Sequence, residues 1–218
     1  MPVLSGIYSV RLRNRSRNSS SPNSWKRIRP PQGAVNHVRL LTNLDPMINA
    51  QFDVRRRAGD AGAMLRIGII SDTHSLLRPE VEAPLAGVAH IIHAGDIGSP
   101  DIIAGLERIA PVSAIRGNVD TADWAQQYPE TRTLTLGGRR IHLVHDIKTL
   151  QIDPVSRGID IVVCGHSHTP RIETIGGVLH LNPGSAGPRR FKLPITLATL
   201  DLTTGCLAPV LHHLDGAS

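Results

Sequence analysis

Two cysteines in 218 residues cannot staple a small secreted domain, which excludes a disulfide scaffold. No stretch approaches the roughly 18 uninterrupted apolar residues of a spanning helix, so no membrane association is expected. No Gly-rich, phosphate-cradling motif is present, and an ATP-driven function has no support. Aromatic residues are scarce, at 3%, yet apolar residues reach 40%. That is enough to build a core, so the chain as a whole is not of the disordered class. The length suits one domain, with or without a tail.

The net charge of +6 is unevenly spread. Residues 1–63 hold eleven of the 24 bases and three of the 18 acids, a surplus of eight positive charges. The rest, from Met64 on, holds 13 bases and 15 acids. The basic character thus belongs to the first 63 residues, and the remainder is a mildly acidic globular domain. A nucleic-acid function is not expected, except through the basic segment.

Residues 11–33 show no helical or strand period and are dominated by Arg, Ser, Asn and Pro. Such a stretch cannot bury enough apolar surface to offset its ordering entropy, so residues 1–63 are expected to form a disordered basic extension of the 64–218 domain. Three readings of it stay open. Translation could start at Met64, directly before the first convincing strand. The segment could be an Arg- and Ser-rich transit peptide, with no acid before Asp45, which would make the protein organellar rather than cytoplasmic. It could be an arm for nucleic acid or anionic lipid. A secretory signal is not expected, because no apolar region follows the early arginines.

The domain first alternates strands and helices. Leu65–Ser71, Ala89–His93 and Val112–Ile115 read as buried strands, with helices over Pro79–Gly87 and over Pro100–Ile109, the latter capped by Ser99. This β-α-β-α-β order implies parallel strands with crossover helices. The second half is all strand: a hairpin 131–145 turning at Gly137-Gly138, a buried strand Ile159–Cys164, a hairpin 171–181 turning at Gly176-Gly177, and a third hairpin 195–213. The expected class is α/β, with two mixed sheets packed together and helices outside.

Each buried strand stops in a polar cluster. Ser71-Asp72-Thr73-His74 follows the first, His93-Ala94-Gly95-Asp96 the second, and Arg116-Gly117-Asn118-Val119-Asp120 the third. His145-Asp146 and Gly165-His166-Ser167-His168 follow later strands. Strand ends lie side by side in an α/β sheet, so these clusters should converge. Asp, Asn and His without thiolate suit Mn²⁺, Fe, Zn²⁺, Co²⁺, Ni²⁺ or Mg²⁺. Seven ligands are too many for one tetrahedral ion and fit two ions that share a carboxylate.

The ordered set Asp72-x-His74, Gly95-Asp96, Gly117-Asn118, His145 and Gly165-His166-x-His168 resembles the calcineurin-like metallophosphoesterases, and among them the small, cap-less bacterial and archaeal phosphodiesterase branch. The resemblance spans about residues 65–202. It implies a four-layer αββα sandwich, two sheets between helices. It implies that Asp72, His74 and His168 hold one metal, that Asn118, His145 and His166 hold a second, and that Asp96 bridges them. It further implies two divalent ions per chain, with Mn²⁺ the expected ion in vitro, and in-line attack on a small phosphoester by a hydroxide between the ions. Asp96, Asn118 and His145 would be the catalytic core of that set. Ionised Asp and neutral His are needed, so activity should fall in acid.

Two positions depart from many relatives. Val119 stands where a His often follows the Asn and protonates the leaving oxygen, so an enzyme best with activated leaving groups is expected. Asp146 stands where Gly often precedes a second His. Asp120 is read as orienting a ligand from behind, and Arg116 as either a phosphate contact or a solvated side chain. His93 is read as a packed histidine rather than an extra ligand, Cys164 as a buried thiol, and the Asn182–Ser185 turn as support for the site. Two alternatives to the phosphodiesterase stand: a phosphomonoesterase, and a non-catalytic scaffold on the same fold, as in the retromer subunit that resembles this family. The chain is compatible with a homo-oligomer.

Overall fold

The computed structural model describes residues 65–203 and 205–215; the readings of residues 1–63 and of Met64 fall outside the described residues. Among the described residues, ten strands form two five-stranded mixed sheets. The first has the order β10 (Val210–His213), β9 (Thr196–Asp201), β1 (Arg66–Ile70), β2 (His90–His93), β3 (Val112–Ala114). The second has the order β4 (Thr131–Leu136), β5 (Arg139–Val144), β6 (Ile161–Val163), β8 (Val178–Asn182), β7 (Arg171–Ile175). The pairs β1–β2, β2–β3, β5–β6 and β6–β8 are parallel, and β1–β9, β9–β10, β4–β5 and β7–β8 are antiparallel.

The pleat decides which side chains meet. In β1, Ile67 and Ile69 point to the second sheet, while Ile70 turns to the opposite face. From the second sheet, Leu134, Leu136, Ile141, Leu143, Ile161 and Leu179 fill the same inter-sheet core. The outer face of the first sheet is covered by α1 (Glu82–Leu85) and α2 (Pro100–Glu107), whose Leu85, Ile102, Ile103 and Leu106 are buried. Gly68 makes that contact close, since a Cβ there would collide with Leu85 Cδ2. On the outer face of the second sheet lies the β5–β6 connection, where Leu150, Ile152 and Ile159 pack on Val144, Val162 and Val178. The expected helical layer is reduced on that side to one 3₁₀ turn, Ile147–Thr149.

Both Gly-Gly hairpins form as expected, with φ of 57° and 81° at Gly137 and Gly138, and 58° and 85° at Gly176 and Gly177. Other elements differ. The helix expected over Pro79–Gly87 is a 3₁₀ turn, Pro79–Val81, followed by the single α-turn Glu82–Leu85. Pro84 lacks the N–H that would carry a longer helix. Ser99 sits at the N-cap of α2, but its hydroxyl makes no capping bond. β10 begins only at Val210, because Pro209 cannot donate to the ladder. A 3₁₀ turn at Asp123–Gln127 had no periodic signal in the sequence. No helix among the described residues is long and apolar enough to cross a membrane.

Candidate metal centre

The polar clusters that end β1, β2, β3, β5 and β6 meet at one edge of the two sheets. Across the sheet boundary, His168 Nε2 lies 3.2 Å from Asp72 Oδ1, and His145 Nε2 lies 3.3 Å from Asp96 Oδ1. His74 Nε2 lies 3.2 Å from His168 Nε2 and 3.8 Å from Asp96 Oδ2. Asn118 Oδ1 lies 3.0 Å from His166 Nδ1, and the His166 ring stands edge-on to His145 with centroids 5.3 Å apart. Asp72, His74, Asp96, His145 and His168 are therefore brought together, and Asn118 and His166 adjoin them beside the His145 ring. Two groups have geometry fit for a cation: Asp72, His74 and His168, and Asp72, Asp96 and His145. Asp72 thus stands at the junction of the two groups, beside Asp96.

Three observations show that this donor set fits a divalent ion. Asp72 Oδ1 and His145 Nε2 are buried and make no well-aligned hydrogen bond, although His168 and Asp96 face them at 3.2 and 3.3 Å. Two imidazole nitrogens face each other at 3.2 Å, beside carboxylates. The donors are oxygen and imidazole nitrogen, which is hard-to-borderline chemistry. The one nearby thiol, Cys164, is pushed up to about 11, with burial the main cause, and stays protonated.

The backbone is strained where the ligands sit. Asp72, His74, Asp96, His166 and His168 all have positive φ, from 45° to 67°. Non-glycine residues hold this conformation only where the surroundings over-determine it. The surroundings do so here through backbone bonds: Asp72 N donates to Gly95 O at 3.0 Å, and His74 N to Asp96 O at 3.0 Å. The glycines of the motifs serve close approach. A Cβ on Gly95 would come within 2.6 Å of His145 Nδ1, and one on Gly165 within 2.7 Å of Asp72 Oδ2.

Supporting groups fix each ligand from behind. His145 Nδ1 donates to Ala94 O at 2.7 Å, which leaves Nε2 for the site. Asp120 accepts from three backbone amides, Gly117 N at 2.8 Å, Ile97 N at 3.0 Å and Gly98 N at 2.8 Å. It thereby ties the Asp96 loop to the Asn118 loop. Asn182 Nδ2 donates to Gly165 O at 2.7 Å, and Ser185 Oγ to Asp72 O at 2.9 Å. His93 accepts from Gly95 N at Nδ1 and meets Thr73 Oγ1 at 2.9 Å, so it is a packed histidine. Burial is the main cause that holds it neutral down to about 4.

Electrostatics favour an ionised Asp96. Burial alone would raise its carboxyl, but His145, the Val119 amide and the nearby His74 outweigh it and hold the group near 2. His145 is raised: burial opposes its charge, and Asp96 and the Ala94 carbonyl prevail. His74 is lowered, by burial first and then by the charges of Arg190 and His168, against Asp96 and Asp72.

A cleft of about 530 Å³ opens beside this centre, with Arg116, Asn118, His145, Asp146, Gln151 and His166 in its wall. Arg116 faces it but is paired with Glu130 Oε1 at 2.7 Å and Gln126 Oε1 at 2.9 Å. Asp146 caps the following 3₁₀ turn by accepting from Lys148 N, and its carboxylate also lies 3.7 Å from His166 Nε2. Arg190 escaped the sequence reading: its Nη2 lies 3.3 Å from His74 Nε2. Nothing in a Pro-Arg-Arg loop more than a hundred positions away signals such a contact.

The sequence profile of the calcineurin-like phosphoesterase superfamily domain matches residues 65–205. The chain belongs to this family. A probable metallophosphoesterase of Methanothermobacter thermautotrophicus is 35% identical over 140 residues, which cover 59% of this chain and 81% of that protein. A phosphodiesterase of Methanocaldococcus jannaschii is 27% identical over 156 residues, 63% of this chain and 93% of that protein. A predicted phosphoesterase of Streptococcus pneumoniae superposes with a TM-score of 0.57 at 27% identity, over 71% of this chain and 92% of that one. The family accounts for the two mixed sheets and for a phosphoester as the substrate class.

Proposed function

We propose that this metallophosphoesterase is a two-metal phosphodiesterase with Mn²⁺ as its working ion. The convergence of seven side chains from five strand ends, two of them with buried ligand atoms that make no hydrogen bond, carries this reading. Asp72, His74 and His168 would hold one ion, and Asn118, His145 and His166 the other. Asp96, whose two oxygens face His145 and His74 respectively, would be shared. When bound, such a pair supplies Lewis acidity to the phosphoryl oxygens and lowers the pKa of an attacking water.

The chain's own contribution is positioning. Ionised Asp96 is pinned by the Val119 amide at 3.0 Å, and Asp120 holds the loops on either side of it. Val119, half-exposed at the rim, has no proton to give a leaving oxygen. The leaving group must then depart as an anion, so rates should fall steeply as its pKa rises. Two features favour diesters: the cleft has room beside the centre for a second substituent on phosphorus, and one relative carries the name phosphodiesterase.

The test is hydrolysis of an aryl phosphodiester beside the matching monoester by the full chain with Mn²⁺, with and without chelator. Chelator-sensitive turnover that favours the diester supports the reading. Faster monoester turnover turns the assignment to a phosphomonoesterase. A folded, metal-loaded chain that cleaves neither points to a scaffold.

A further inference from the structure

We propose that Arg190 is the phosphoryl-binding cation of this site, a role that rests on the two-metal reading above. Its Nη2 is 3.3 Å from His74 Nε2, the nitrogen that also faces His168 Nε2 at 3.2 Å. That nitrogen has one lone pair. It cannot accept from Arg190 and bind a cation at once, so loading the centre frees the guanidinium. The freed group keeps its place at the centre but loses its acceptor. Among the described residues it has no carboxylate partner. An arginine carries five N–H donors in a flat fork that matches two oxygens of a phosphoryl group. The acceptor that restores its hydrogen bonds is a non-bridging oxygen of the ester held beside the ions.

The loop that carries Arg190 is built to hold it there. Ala186 N donates to Ser71 O at 3.1 Å, and Ser185 Oγ donates to Asp72 O at 2.9 Å. Gly187 lies so close to the Asp72–Thr73 backbone that a Cβ would strike both carbonyls. Arg78 Nε donates to Gly187 O at 3.1 Å, and Leu193 N closes a turn on Arg190 O at 3.1 Å. The loop is thus anchored directly on the strand end that carries Asp72 and His74.

The other cations nearby are engaged. Arg116 is bound to Glu130 and Gln126, Arg189 to Asp215 at 2.8 Å, and Arg78 to the loop backbone. Arg190 has its donors turned to His74 and, among the described residues, no competing acid. It does not replace the missing acid at Val119, because a guanidinium does not release its proton. It neutralises charge on the phosphoryl oxygens, which helps every phosphoester alike and leaves the leaving-group dependence intact.

The experiment measures inorganic phosphate binding by calorimetry to full-length wild type, Arg190→Ala and Arg190→Lys, each loaded with Mn²⁺ and assayed for bound metal. Arg190 is exposed, so both variants should fold. Arg190→Ala is expected to keep the wild-type metal content and to bind phosphate about 10- to 100-fold more weakly. Arg190→Lys should fall between, keeping the charge and losing the fork. Equal phosphate affinity in wild type and Arg190→Ala at equal metal content overturns the assignment and leaves the two-metal reading standing. Loss of metal from Arg190→Ala also overturns it, since Arg190 would then serve the ions. A wild type that takes up no ions overturns the two-metal reading, and this assignment with it.

Discussion

The two sides of the centre are built differently. On one side, Asp72, Asp96, His145 and His168 are buried, and backbone groups hold three of them: the His166 amide on Asp72, the Val119 amide on Asp96 and the Ala94 carbonyl on His145. On the other, Asn118, His166 and Arg190 meet their neighbours mainly through side chains, and the His166 side chain is 44% exposed. The buried side is held in place by the fold's own backbone groups. The open side can adjust, and its Asn118 and His166 line the cleft. The difference divides the work: one half fixes where charge sits, and the other meets a substrate of variable shape.

Removing a support from each side should break or sharpen that contrast. Asp120→Ala strips the acceptor from three amides on the buried side, so metal affinity should fall about 10- to 100-fold. The metal-free fold should lose about 3 kcal/mol in urea denaturation. His166→Ala on the open side should leave that stability within about 0.5 kcal/mol while lowering metal content. Equal stability losses in the two variants would erase the distinction.

Acid should act on the buried histidines of β2 as well. Burial is the main cause holding His90 and His93 near 4, against 6.5 in solution. As pH falls through 6.5, the unfolded chain takes up protons that the folded chain refuses. Stability of the metal-free protein should therefore drop between pH 6.5 and about 4, and protonation of Asp96, held near 2, should add a further loss below that. His93 alone accounts for about 3 kcal/mol of this. Flat stability across that window, measured by urea midpoints, would contradict the burial of both rings.

The strands and the convergence of the polar clusters were legible because local chemistry carried them. Short aliphatic runs such as 65–70 have the length and pattern of doubly buried strands, and Gly-Gly pairs demand tight turns. Asp72, Asp96, Asn118 and the His166/His168 pair each follow such a strand, so topology alone brings them together. What was missed depends on contacts between distant segments. The contact of Arg190 with His74 exists only because Ser185 and Gly187 dock on the β1 end. The thin cover on the second sheet reflects Leu150, Ile152 and Ile159 packing without a helical period. The short α1 is the exception, since Pro84 announced the break within the sequence itself.

The claim that most needs testing is that one centre holds two ions through a shared Asp96. Bound metal should be counted on the full chain after Mn²⁺ loading and gel filtration, for wild type and Asp96→Asn, with diester hydrolysis assayed on the same samples. Two ions per wild-type chain are expected. Asp96→Asn should carry fewer and lose more than about 100-fold of the activity, beyond the effect of an outer support. A wild-type chain that saturates at one ion, or an Asp96→Asn variant that keeps both ions and full turnover, would contradict the account.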